Sequence, residues 1–173
     1  MRLACQGFAA HDPTDFTHRL VNAVRPHLPV VGGQMIQDRD DLATKLVSAD
    51  ARWRAEARFH LTKAIQSMQL EPRYETWRGI DDEDPWAACA AVWAAGEMGR
   101  VEQCEGIAKL LEHPFAPLRR EAVRALGSLG YEKAKEAFER MAKHDLDAAV
   151  RALAADPPKP KPPPGPPDGA EKH

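Results

Sequence analysis

One internal repeat constrains this chain more than anything else in it. The segment Cys89–Gly99 (CAAVWAAGEMG) lies in register on Arg120–Gly130 (REAVRALGSLG). Ala91 meets Ala122, Val92 meets Val123, Ala94 meets Ala125, Gly96 meets Gly127 and Gly99 meets Gly130. The same register lays Leu110 on Met141 and His113 on His144. A third start follows at Ala149–Leu153, and Trp53–Ala57 has the pattern of Leu118–Ala122. Repeats of roughly 30 to 45 residues made of helix pairs stack into solenoids, because no single pair can bury its own apolar stripe.

The content of each repeat is helical. The chain holds 29 alanines against 18 Val, Ile and Thr together, which favours helix and excludes an all-β fold. In the second unit the spacing predicts a helix over 117–129, with Leu118, Ala122, Ala125, Leu126 and Leu129 on one face and Gly130 ending it. A second helix is predicted over 132–143, with Ala134, Ala137, Phe138 and Met141 inward. Small residues at the repeated Ala and Gly positions let neighbouring helices approach closely. Upstream, amphipathic helices are predicted over 14–27, 38–47 and 51–68, with a short one over 72–77 and a loop at Gly32–Gly33. Eight prolines fall between Pro157 and Pro167, so residues 156–173 are expected to be a polyproline or disordered tail that joins no core. Its PxxP spacings, Pro157–Pro160 and Pro160–Pro163, leave ligand and spacer both open.

At Leu118–Gly127 (LRREAVRALG) the chain resembles a HEAT repeat, in the short bacterial subtype shared with phycobilisome-lyase-like proteins. The resemblance is strong over 114–130, clear over 84–99, partial over 147–154 and weak over 50–61. It implies an all-α fold: a short HEAT-like α-solenoid of about three helix-pair units (50–155), behind an N-terminal helical cap (1–49) and before the disordered proline-rich tail (156–173). It also implies structural ladder arginines, placed at Arg119, Arg124 and Arg151. In the unit that starts at Asp84, Ala87–Ala88 replaces the usual apolar–Arg pair, so that unit lacks its arginine.

Chemistry is harder to find. Seven histidines and three cysteines show no HExxH, finger or CxxC spacing, and no catalytic, metal or cofactor site is expected. Unpaired cysteines fit a reducing, cytoplasmic compartment. No apolar run is long enough to span a bilayer, and Met1–Ala10 is too short an apolar stretch for a secretory signal. Residues 83–156 carry 10 basic and 13 acidic side chains, which argues against phosphate-backbone binding and so against nucleic acid as partner. A protein partner, or a second copy of this chain, is the remaining expectation. Two features mark its surface. Glu105 and Lys109 lie four apart on one B helix, and Glu136 and Arg140 repeat that pair in the next unit. Trp77, Trp86 and Trp93 cluster across a turn, with Trp93 in the slot that Arg124 fills in the next unit. The expected function is a non-catalytic interaction module: an adaptor, chaperone or assembly subunit. The lyase-like resemblance implies an alternative, a bilin lyase or isomerase subunit acting with a partner subunit.

Overall fold

The computed structural model describes residues 20–22, 30–31, 34–35, 39–67, 80 and 83–160. Two two-residue strands, β1 (Val30–Val31) and β2 (Gln34–Met35), are paired antiparallel with Val30 opposite Met35. This ribbon is an addition to the expected all-helical pattern. Its local signal is the Gly-Gly dipeptide between Val30–Val31 and Gln34–Met35, a common hairpin spacing. Of the helix expected over 14–27, residues 20–22 are described and helical, with Leu20 and Val21 buried.

The rest is a stack of helices, and the fold is a short α-solenoid. Helix α1 (Arg39–Leu46) packs on α2 (Ala51–Ser67), where Lys45 reaches Glu56 at 2.8 Å. Helix α3 (Pro85–Glu97) follows, then a short B helix, α4 (Cys104–Lys109), flanked by tight 3-10 turns at Val101–Gln103 and Leu110–Glu112. Helix α5 (Ala116–Ser128) starts the next unit, and α6 (Lys135–His144) is its B helix. Helix α7 (Ala148–Ala155) opens a third unit. The A helices α3, α5 and α7 pack side by side, and α6 packs on α7.

The start and stop signals act as their chemistry requires. The Asp84 carboxylate accepts from the Trp86 N–H at 3.0 Å and Pro85 occupies the first turn of α3, where its missing N–H costs nothing. Both repeat glycines, Gly99 and Gly130, have φ +68°, the left-handed conformation a helix-ending glycine permits. Each sits in a Schellman turn. The Arg100 N–H donates to the Ala95 carbonyl and Gly99 to Gly96; at the equivalent place in the next unit, Tyr131 donates to Leu126 and Gly130 to Gly127.

Helix α3 is the centre of the core. Ala87 through Ala95 are all buried, so this helix has no polar face and reads as an alanine run rather than an amphipathic stripe. The close approach of the units is set at Gly96, where a Cβ would stand 3.3 Å from both Cα and Cβ of Ala125 on α5. Gly96→Val places branched methyls into that contact. It is expected to lower unfolding stability by about 2 kcal/mol, read as a shift of the urea midpoint at unchanged slope.

The tail begins differently from expectation. Residues 157–160 do not stand free of the repeats but lie against Gly127 and Gly130 of the α5 turn. Proline rings are apolar enough to pack on a surface that glycine leaves open. Residues 161–173 lie outside the described part, as does most of the expected N-terminal cap.

Candidate functional site

The sequence places its arginines at the turns between units, and the structure shows what they do there. Arg54, Arg119 and Arg151 are each the fourth residue of their helix. Each sends one guanidinium nitrogen back to two carbonyls of the preceding turn. Arg54 Nη1 donates to Ser48 O at 2.6 Å and Ala49 O at 2.9 Å. Arg119 Nη1 donates to His113 O at 2.8 Å and Pro114 O at 3.0 Å. Arg151 Nη1 donates to Asp145 O at 2.7 Å and Leu146 O at 3.2 Å. The first residue of each turn also accepts, through its side chain, from the N–H two residues on: Ser48 from Asp50, His113 from Phe115, Asp145 from Asp147. Carbonyls that would be orphaned between helices are thus satisfied by one charged donor each.

Two expectations shift here. Arg124 does not serve a turn: it pairs with Glu121 on its own helix at 3.3 Å and stays half exposed. His113 is matched in role by Asp145, not His144, because the second B helix runs one residue longer before the turn. In α3 the fourth residue is Ala88, buried and without a donor.

Arg119 does more than serve its turn. Its Nε and Nη2 form a two-pronged pair with Asp145, at 2.9 and 2.7 Å, tying the turn before α5 to the turn before α7. Arg119 holds the Asp145 carboxyl below its usual range, chiefly through that hydrogen bond, and Asp145 raises the arginine in return.

A second charged cluster sits between α2, α3 and α5. Arg58 Nη1 meets the buried Glu121 carboxylate at 3.0 Å, and its guanidinium lies 5.2 Å from the centre of the Trp93 ring. Arg54 stacks over Trp86 at 4.0 Å, and Trp86 meets Phe115 edge-on at 4.9 Å. Burial, then Arg58 and Arg120, pull the Arg54 affinity for its proton down. Burial pushes the Cys89 thiol up to about 12, so it is protonated and inert as a nucleophile near neutrality. Cys104 is also free and buried, and burial raises its thiol as well.

This geometry changes the standing of the tryptophans. Trp93 is only 6 % exposed, because an arginine from another helix covers it. Trp86 is half-buried between Arg54 and Phe115. Neither offers a free ring to a partner, and Trp77 lies outside the described residues. Arg54, Arg58, Glu121 and Asp145 are the important side chains the sequence left unassigned. Only Arg54 had a signal, its alignment with Arg119.

The B helices carry the remaining candidates. Glu105, Lys109, Glu136 and Arg140 are all exposed on α4 and α6. Their ion pairs run between units, not along one helix: Lys133 meets Glu105 at 3.2 Å and Arg140 meets Glu112 at 3.4 Å. Side chains on adjacent B helices face one another closely enough for this. The pairs are open to solvent and contribute little stability.

Among the described residues no helix is long and apolar enough to cross a membrane. No curated protein matches the chain significantly. A family model does match residues 78–156, the stretch that holds α3 to α7, and the family it describes is that of HEAT repeats.

Proposed function

We propose that the chain is a non-catalytic protein–protein interaction module, an adaptor or assembly subunit that docks a partner on the exposed face of α4 and α6. HEAT repeats generally mediate contacts between proteins, and the likeness over 78–156 supports that class. The observation that carries the reading is the mixed-sign charge of this face. Glu105–Lys133 and Glu112–Arg140 set opposite charges side by side across two units, beside the exposed Lys109 and Glu136. Such a surface steers and registers a partner rather than gluing it. Free, buried Cys89 and Cys104 support a reducing compartment as its setting.

The test is capture by the tagged full chain. Lys109→Glu combined with Arg140→Glu is expected to reduce recovery of a specific protein partner at least tenfold. Unfolding stability should change by less than about 1 kcal/mol. Recovery of the same partners in the same amounts would put the docking face elsewhere.

A further inference from the structure

The repeat rule that builds the stack stops one turn short in the third unit, and prolines stand in the gap. Helices α5 and α7 share one register: Ala116 begins one helix and Ala148 the other, and Arg119 answers to Arg151. On that register α7 would run to residue 160, yet it ends at Ala155. Pro157 explains the stop, because a proline pushes the residue before it out of helical conformation, and Asp156 sits at φ −138°, ψ 74°. The residue equivalent to Ala125 is then Pro157. Ala125 fills the notch at Gly96; Pro157 fills the notch at Gly127, 3.2 Å from where a Cβ would be.

The fit is made by backbone as much as by rings. A Cβ on Gly127 would come within 2.7 Å of the Pro158 carbonyl oxygen, and one on Gly130 within 3.0 Å of Pro160 Cγ. At the equivalent Gly99 nothing lies within 4 Å among the described residues, so among them this contact belongs to the second unit alone. The groove is lined by Leu126, Tyr131 and Phe138 with Glu132 and Lys135 along it, and beside the proline strap it keeps an open volume of about 340 Å³. Among the described residues no hydrogen bond ties 157–160 to it. The strap is held by van der Waals packing of its rings and backbone.

We propose that this groove is a recognition site for an extended proline-rich segment of another protein, occupied in the free chain by its own Pro157–Pro160. The chemistry is that of polyproline recognition: a preformed extended chain of low entropy laid on an aromatic-lined groove, with glycines admitting its backbone. The resident strap competes from an effective concentration in the millimolar range, so a second copy's identical tail cannot displace it at ordinary protein concentrations. This site lies at the α5–α6 turn and does not depend on the charged face of α4 and α6.

The test uses the full chain and a labelled peptide of sequence PPKPKPPPGPP, followed by fluorescence anisotropy. Pro157→Gly/Pro158→Gly/Pro160→Gly weakens the strap and leaves the groove intact. It is expected to bind the peptide at least about tenfold more tightly than the wild type. Adding Gly127→Ala, which favours the helix but blocks the proline backbone, should abolish that binding. Equal binding by the wild type and the strap variant, or none by either, overturns the proposal. So does concentration-dependent dimerisation of the strap variant without peptide binding, which would make a second copy the occupant. If the strap variant loses its helical signal, titration of the wild type decides: amide shifts at Tyr131 and Lys135 support the site, and none at millimolar peptide refutes it.

Discussion

Glu121→Ala is expected to cost about 3 kcal/mol of folding stability, the low end of the range for breaking a buried ion pair. In a chain of this size that corresponds to a fall of about 6–12 °C in Tm. The Glu121 side chain is 7 % exposed and sits among apolar residues of α5, and its carboxylate is held chiefly by Arg58, which reaches it from α2 at 3.0 Å, with Arg124 of its own helix at 3.3 Å as a half-exposed second partner. Removing the carboxylate strands a guanidinium that is itself only 17 % exposed, and whose Nε and Nη2 already lack an acceptor among the described residues. Arg120 and Arg54 lie close enough to bear on the same cluster, so the remaining charge is all of one sign. The pair also has a mechanical role: it clasps α2 to α5 across α3, over the Trp93 ring. Replacing both partners with apolar groups, Arg58→Met with Glu121→Leu, should recover most of the loss, because neither charge of the pair is then left without its counterpart. Urea unfolding of the three variants checks this. A single-variant loss below about 1 kcal/mol, or no recovery in the double variant, would mean water reaches the pair and screens it.

Short-range chemistry made much of this fold legible. The alanine run of α3, the glycines at 99 and 130 and the Asp84–Pro85 start each report a local requirement, and all three sit where the repeat spacing puts them. What escaped was long-range. Trp93 and Arg124 share a repeat slot, but one is buried and the other half exposed, because Arg58, from a helix well upstream of Trp93, lies over the ring. No spacing within a repeat encodes that cover. The charges at Glu105 and Arg140 invite pairing along one helix, yet Lys133 and Glu112 take them across the stack. Arg119 and Arg124 look alike in the sequence. They differ only in helix position, the fourth residue facing the turn behind it and the ninth facing outward. The strap at Pro157–Pro160 was hidden for a simpler reason: composition says that prolines cannot build a core, and says nothing of whether they can cover one.

Arg119→Ala is expected to cost about 3 kcal/mol near neutral pH, and this loss should shrink on acidification. Four hydrogen bonds leave with the guanidinium: two to the Asp145 carboxylate and two to the carbonyls of His113 and Pro114. Asp145, 6 % exposed in the intact pair, then keeps the Asp147 N–H as its remaining donor. Lysine cannot substitute, since a single ammonium cannot grip both carboxylate oxygens and the turn carbonyls together. The pH dependence has a fixed sign. The arginine holds the Asp145 folded-state pKa below its unfolded value of about 3.9. The stability this linkage contributes is therefore fully present above that unfolded value and drains away as pH falls through the folded one. Arg119 keeps its charge throughout, so the titrating partner is the carboxylate alone. Urea midpoints for the wild type and the variant should accordingly lie furthest apart at pH 7 and draw closer at pH 3, below the unfolded value, where the linkage contribution of the carboxylate is already falling. The two carbonyl bonds do not titrate, so a residual gap should persist at pH 3. A gap of the same size at both pH values would assign the whole loss to the turn carbonyls and none to the link between the second and third units.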